Sequence, residues 1–178
     1  MLRVADLGIQ ALQMRDSDPA PSQRSDIFAN IDAIHTVHDA NGNACSYALN
    51  MAEESDGTNS YFKLIGVVKK ALDLGTLLVA DEMDAHLHPL LTKHLVSLFD
   101  STEFNPKGAQ LIFTSHSTNL LDLDFLRRDQ IWFTEKDEQT AATDLFSLYD
   151  SSIRKDTKVE KGYLIGRFGA IPFIKGGL

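Results

Sequence analysis

Two adjacent carboxylates, Asp81 and Glu82, follow directly after the apolar run Leu77–Ala80. Such a run is typical of a buried strand, whose tip would then present both acids at one edge of a sheet. A carboxylate at a strand tip can hold Mg²⁺ directly or through its water shell. The next residue points the other way, so Glu82 could orient or deprotonate a water molecule. The pattern favours metal-assisted phosphate chemistry; two solvated acids at the end of a strand are the alternative interpretation.

A second apolar run places three more candidates near this acid pair. Asp84 lies in a short turn before a helix that is predicted to begin at Pro89, and Ser115 and His116 directly follow the run 110–114. A strand–helix–strand order with short loops makes the two strands parallel, so that both end at the same edge of the sheet. Open α/β sheets bind ligands at that edge. We therefore expect His116 to emerge beside the acid pair.

A turn of small residues, Ser55-Asp56-Gly57-Thr58, opens a predicted helix that ends at Gly75. The helix has one apolar stripe, formed by Tyr61, Ile65, Val68 and Leu72. Free N–H groups at a helix N-terminus bind anions, so Ser55 and Gly57 are candidate phosphate ligands. The alternative is that Ser55 is only the N-cap of this helix.

The remaining pattern predicts an α/β protein in two parts, residues 1–52 and 53–178. The first part is β-rich: it has a strand at 9–14, a mobile loop at 16–30 and a β-hairpin that turns at Asn41-Gly42.

The second part carries the predicted helices and the parallel strands. Two more strands are predicted at 130–135 and 144–149, followed by a glycine-rich, aromatic tail at 162–174. In that tail Arg167 could approach a phosphate or a partner chain, or could be an ordinary surface arginine.

Composition restricts the function classes. The chain has 178 residues, which is one domain or part of a larger one. A net charge of -8 argues against nonspecific coating of nucleic acid. The single cysteine, Cys45, permits no internal disulfide, and no apolar run approaches the roughly 20 residues that span a bilayer. We expect a soluble, cytoplasmic protein without a membrane partner.

The motifs, taken in order, resemble those of ABC-type ATPases, in the branch shared by DNA-repair and chromosome-structuring ATPases and the AAA-type core proteins of bacterial defence. The matching segments are 55–58 (signature motif), 77–82 (Walker B with its catalytic glutamate), Asp84 (D-loop), His116 (switch histidine), and 130–133 with 166–173 (the C-terminal end of standalone prokaryotic ATPases). The resemblance implies a partial P-loop fold, with a mostly parallel sheet flanked by helices.

The resemblance also implies cofactors, roles and partners. ATP and Mg²⁺ would be bound, with Asp81 holding the metal ion and Glu82 polarising the attacking water. His116, with Ser115 beside it, would contact the γ-phosphate. In a head-to-tail homodimer, Ser55 and Gly57 would clamp the nucleotide of the opposing subunit, and Asp84 would lie at the interface. DNA or an effector nuclease would be the further partner.

One motif of such ATPases does not occur in the sequence. No Gly-x-x-x-x-Gly-Lys-Ser/Thr is present, so the loop that cradles the α- and β-phosphates, Walker A, would come from a partner chain or from another part of the protein. The sequence would then correspond to the C-terminal half of an ATPase domain. Because phosphoryl transfer depends on this loop together with the metal, we expect the chain alone to bind Mg-ATP weakly.

Two functions of other classes remain open. A metal-dependent nuclease or phosphoesterase could use Asp81, Glu82, Asp84 and His116, because such sites also cluster acids at strand tips. A zinc site that includes His86 and His88 lacks a fourth ligand at a suitable spacing. Finally, the chain could be a non-catalytic interaction module.

Overall fold

The fold is taken from a computed structural model, which describes residues 8–15, 27–137, 139–151, 153 and 157–171. The chain divides into two compact units, residues 1–116 and 117–178. The boundary predicted after residue 52 falls inside the first unit, because the end of one strand leads through the 3₁₀ helix Met51–Glu53 directly into a long α-helix.

The first unit begins with an antiparallel sheet of three strands in the order β1-β2-β3. Their bounds are Ile9–Met14 (β1), Ile31–His38 (β2) and Ala44–Asn50 (β3). The predicted strand at 9–14 and the predicted hairpin are both confirmed. The Asp39 carboxylate closes the hairpin turn by accepting hydrogen bonds from the Asn41 and Asn43 N–H groups, each at 2.8 Å.

Most of the loop predicted at 16–30 lies outside the described residues, which resume at Ile27. Its last four residues, Ile27–Asn30, form a 3₁₀ helix. The reason is burial: Phe28 is 3% exposed and belongs to a hydrophobic cluster with Ile9, Ala33 and Met51. Removing an aromatic ring of this size from water stabilises the segment against the sheet.

Helix α1 (Asp56–Leu74) forms as predicted. The Ser55 side chain accepts a hydrogen bond from the Thr58 N–H group at 3.1 Å and caps the N-terminus. Gly75 ends the helix with a left-handed φ of 68°, a conformation that glycine adopts without steric cost. The predicted apolar stripe is buried, and its members are Tyr61, Ile65, Val68 and Leu72.

A parallel strand pair follows, as predicted, and consists of β4 (Leu77–Ala80) and β5 (Gln110–Phe113). Helix α2 (Pro89–Asp100) lies between them in the chain. Helix α1 packs against α2 and β4, and α2 packs against β5. The prediction that these strands are buried is wrong for one face of the pair. Val79 and Ile112, which are register partners, are 68% and 59% exposed. Among the residues that the structure describes, the helices cover only one face of this pair.

The second unit contains an antiparallel pair, β6 (Trp132–Lys136) and β7 (Thr143–Ser147), and a short helix, α3 (Val159–Leu164). Its core consists of Ile131, Phe133, Leu148, Ile153, Val159 and Phe168. The prediction of a mostly parallel sheet is therefore wrong, since parallel pairing in the described chain is limited to β4 and β5. A mixed α/β architecture and the N-terminal hairpin are confirmed.

Among the residues that the structure describes, no helix is both long enough and apolar enough to cross a bilayer.

Candidate functional site

The register of β4 and β5 sets the geometry of the site. Ala80 pairs with Phe113, and the Thr114 N–H group continues the ladder with a 3.0 Å hydrogen bond to the Ala80 carbonyl. The residues that follow, Asp81 and Thr114, are consequently neighbours at the carboxyl edge of the pair. The predicted meeting of the two strand ends is confirmed.

Thr114 connects both carboxylate residues to β5. Its hydroxyl donates to Oδ1 of Asp81 and accepts from the Glu82 N–H group at 2.8 Å. Its carbonyl accepts from the N–H group of Met83 at 3.0 Å, and the Met83 side chain is buried. Thr114 was not among the residues predicted from the sequence, although its position opposite Asp81 in the predicted strand register was a signal for it.

The loop after β4 is held in an unusual backbone conformation. Glu82 has a φ of 46° and His86 a φ of 63°, both in the left-handed region that residues other than glycine rarely occupy. Hydrogen bonds fix the turns: the Ala85 N–H group donates to the Glu82 carbonyl, and the Leu87 N–H group to the Asp84 carbonyl. Backbone strain of this kind concentrates at functional sites, where the surroundings over-determine it.

His116 lies beside these acids. Its Nε2 atom is 3.5 Å from Oε1 of Glu82, and its backbone N–H group donates to Oδ1 of Asp84 at 3.3 Å. The His116 and Glu82 side chains are 84% and 62% exposed, so their attraction is largely screened by water and adds little stability. The two side chains are therefore free to reorient toward a bound ligand.

The remaining candidates lie at the margins of this group. Ser115 is half-buried between Thr114 and His116. Ser55 is occupied as a helix cap, as the alternative interpretation allowed. Gly57 approaches the loop after β4 closely, since a Cβ atom there would be 3.2 Å from the His86 carbonyl oxygen. The first turn of α1 thus packs against the loop that carries Glu82 and Asp84.

The donor set suits a magnesium ion that arrives with phosphates. Carboxylate and hydroxyl oxygens are hard ligands, and Mg²⁺ is usually held by one or two carboxylates together with substrate phosphates and waters. Thr114 engages only Oδ1 of Asp81, so Oδ2 faces no protein partner in the described chain. In the same part of the chain, no three His, Cys, Asp or Glu side chains are grouped so that they could hold a metal ion. The residues fit a metal–nucleotide and not a closed protein cage.

The zinc interpretation loses one of its ligands. The Nδ1 atom of His88 accepts a hydrogen bond from the Leu90 N–H group at 3.2 Å, which caps α2. His88 is a turn residue whose side chain caps the helix that follows it.

Arg167 belongs to the second unit. It is exposed, and its guanidinium carbon lies 5.8 Å from the centre of the Phe168 ring. Its backbone N–H group donates to the Gly162 carbonyl at 2.9 Å. The tail predicted at 162–174 is described only as far as residue 171.

A comparison with protein families gives a match over most of the first unit. Residues 5–122 match an AAA domain family, whose description also names an AbiEii toxin and a type IV toxin–antitoxin (TA) system. The match includes β4, β5 and every candidate residue from Ser55 to His116. No curated protein matches the chain. The chain belongs to this AAA domain family, and that membership indicates a nucleotide-binding function of the ATPase type.

Proposed function

We propose that this chain supplies the metal-binding and water-orienting half of an ABC-type ATPase site, in which ATP is hydrolysed with Mg²⁺. The observation that carries the proposal is the convergence of Asp81, Glu82, Asp84 and His116 at the tips of two parallel strands. That convergence depends on hydrogen bonds from Thr114 and His116, and not on sequence proximity alone.

Each side chain has a role that its position supports. Oδ2 of Asp81 is available for the metal ion or its water shell, while Thr114 fixes the other oxygen. Glu82 can accept a proton from, or orient, a water molecule approaching the terminal phosphate. His116 and Ser115 can donate hydrogen bonds to phosphate oxygens. When bound, Mg²⁺ neutralises charge that develops on the phosphates.

Ser55 and Gly57 form the second contact surface for phosphate. The first turn of α1 has N–H groups without intrahelical partners, and its dipole favours an anion. We propose that this turn and Asp84 meet the nucleotide across an interface with a second subunit. The phosphate loop itself comes from outside these 178 residues, on a partner chain or another part of the protein.

The biological context we propose is DNA repair or antiviral defence, with DNA or an effector nuclease as partner. The description of the family, which names a toxin of a toxin–antitoxin system, supports the defence context.

The test is equilibrium dialysis with Mg-ATP, followed by reconstitution with a chain that carries the phosphate loop. The chain alone should bind more weakly than about 100 μM, because the contacts to the α- and β-phosphates are missing. In the reconstituted protein, Glu82→Gln should abolish hydrolysis and trap an ATP-bound dimer. Micromolar binding by the chain alone, or an unchanged rate with Glu82→Gln, would contradict the proposal.

The nuclease alternative predicts a different result from the same preparation. It requires DNA cleavage that depends on a divalent metal and not on ATP, and it requires a further carboxylate. Within the described ranges, no group of three His, Cys, Asp or Glu side chains could hold a metal ion without ligands from a bound substrate. An interaction module, in turn, would be indifferent to Glu82→Gln.

A further inference from the structure

Glu54 directly precedes the Ser55–Thr58 turn, and its carboxylate is almost completely removed from water. Its side chain is 9% exposed, and the His35 side chain, which faces it, is 12% exposed. The distance between Nε2 of His35 and Oε1 of Glu54 is 2.6 Å, which is short for a nitrogen–oxygen hydrogen bond. A carboxylate accepts hydrogen bonds and an imidazole N–H donates them, so the two side chains can form one hydrogen bond at this distance.

The His35 ring is itself fixed by the three-stranded sheet. It stacks on the Tyr47 ring with a centroid distance of 5.1 Å and an interplanar angle of 14°. Tyr47 is the register partner of His35 across β2 and β3. Directly before β1, a Cβ atom at Gly8 would lie 3.4 Å from Nδ1 of His35. The ring therefore has a defined orientation before it meets Glu54.

Glu54 is also tied to the helix that follows it. The Asn59 side-chain amide donates to the Glu54 carbonyl at 3.2 Å, and the Asn59 N–H group donates to the Ser55 carbonyl at 2.9 Å. Within this turn, Gly57 lies close to the loop after β4, since a Cβ atom there would be 3.2 Å from the His86 carbonyl oxygen. A continuous set of contacts thus runs from the sheet, through His35 and Glu54, to the loop that carries Glu82 and Asp84.

We infer that His35 and Glu54 are positioning residues, which fix the first turn of α1 so that Ser55 and Gly57 can meet the phosphate of a nucleotide. The phosphate ligand in this inference rests on the proposed function. The positioning of the turn rests only on the contacts described above. An exposed ion pair would not fix the turn in this way, because water would solvate both side chains and neither would be held in one position. A buried carboxylate without its donor is strongly disfavoured, so the pair allows one arrangement of the turn.

The first experiment measures amide hydrogen exchange along α1 and needs no nucleotide. Glu54→Ala should speed exchange of the Thr58 and Asn59 amides at least about tenfold, with little change at Val68 in the middle of the helix. Glu54→Gln, which still accepts a hydrogen bond from His35, should stay within about threefold of the wild type. Asp73→Asn is the matched control, because it removes an exposed ion pair with Lys69 at the other end of the same helix.

The pattern of exchange along α1 decides whether His35 and Glu54 position the first turn. Unchanged exchange at Thr58 and Asn59, or equal acceleration along the whole helix, would overturn the positioning role. If Glu54→Ala does not fold, Glu54→Asp decides, because its shorter side chain must produce the same local acceleration.

The second experiment reconstitutes the same variants with the chain that carries the phosphate loop, titrates them with Mg-ATP and follows the backbone NMR signals of residues 55–57. The wild type should respond, Glu54→Gln should recover most of that response, and Glu54→Ala should require at least about tenfold more nucleotide. A wild type that does not respond anywhere would overturn the proposed function and the phosphate role of the turn. A wild type and a Glu54→Ala variant that respond equally would overturn the present inference alone.

Discussion

At the scale of single residues, the hydroxyl of Thr114 is the contact that holds both acids at the end of β5. It fixes Asp81 by donation and Glu82 by acceptance, and it holds Glu82 in a left-handed backbone conformation that costs on the order of 1 kcal/mol. Together with the hydrogen bond from the Met83 N–H group to the Thr114 carbonyl, this connection ties the start of the loop after β4 to the end of β5.

Thr114→Val should release both bonds while keeping the shape of the side chain. We expect a loss of about 1 kcal/mol in the free energy of unfolding, measured by urea denaturation, and a shift of the Glu82 amide NMR signal. Thr114→Ser retains the hydroxyl and is the matched control. An unshifted Glu82 signal in Thr114→Val would show that this connection does not exist in solution.

His94 makes the stability of the first unit depend on pH. Burial lowers the pKa of His94 below the ordinary value for histidine, and its Nε2 atom is buried without a hydrogen-bond partner in the described chain. The unfolded chain therefore takes up this proton more readily than the folded one. The contribution of His94 to stability is fully present above pH about 6.5 and is lost progressively as the pH falls below that value.

His94→Gln should flatten this dependence. Urea midpoints at pH about 7.5 and about 5.5 should differ less in His94→Gln than in the wild type. His38→Gln is the matched control, because His38 is exposed, and its variant should keep the wild-type difference. If His94→Gln keeps the full difference, the imidazole is not buried in the folded protein.

At the scale of elements, α1 is defined at both ends by local chemistry. Ser55 caps the start and Gly75 ends the helix in a left-handed conformation. A Cβ atom at position 75 would be 2.8 Å from the carbonyl oxygen of Lys107, so the loop before β5 can pack there only against glycine. This contact sets how α1 and the β4–β5 pair meet.

Gly75→Ala should destabilise the protein by about 2 kcal/mol, from the left-handed backbone and the close contact together. Gly66→Ala is the matched control within the same helix. Position 66 is exposed with no atom near its Cβ position, so the substitution should stabilise by about 0.5–1 kcal/mol. Urea denaturation of both variants measures this, and equal effects at the two positions would contradict the packing described.

The predictable elements are those determined locally. The apolar stripe and caps of α1, the Asn-Gly hairpin and the parallel β4–β5 pair all follow from residues close in sequence or from loop lengths. Helix α3 was not predicted, because it has only six residues and depends on the burial of Val159 and Phe168. Gly162 permits this packing: a Cβ atom there would lie 2.7 Å from the Phe168 ring.

The candidate site likewise has features that the sequence predicts and features that it does not. The approach of His116 to the acid pair follows from parallel strands and was predictable. The role of Thr114 depends on the exact register of the strands, and the left-handed φ of Glu82 on the loop that this register imposes. The exposure of Val79 and Ile112 was not predictable, because an apolar run indicates burial without indicating what covers it.

At the scale of the whole molecule, this exposed face has a physical consequence. Val79 and Ile112 are adjacent on the uncovered face of a two-stranded pair, and contiguous apolar surface of this kind favours association. We expect sedimentation velocity to show concentration-dependent self-association of the chain. Replacing both residues by threonine should shift it toward the monomer, while Val67→Thr, at a 50% exposed site on α1, should not. A wild type that stays monomeric at high concentration would contradict this.

The central claim is that the tips of β4 and β5 form one site for a metal–nucleotide. Mn²⁺ accepts the oxygen ligands that Mg²⁺ prefers, and as Mn-ATP it broadens the NMR signals of nearby nuclei. We predict selective broadening of residues 81–84 and 114–116 in the wild type, and its loss in Asp81→Asn. Broadening confined to other residues, or unchanged in Asp81→Asn, would contradict the account.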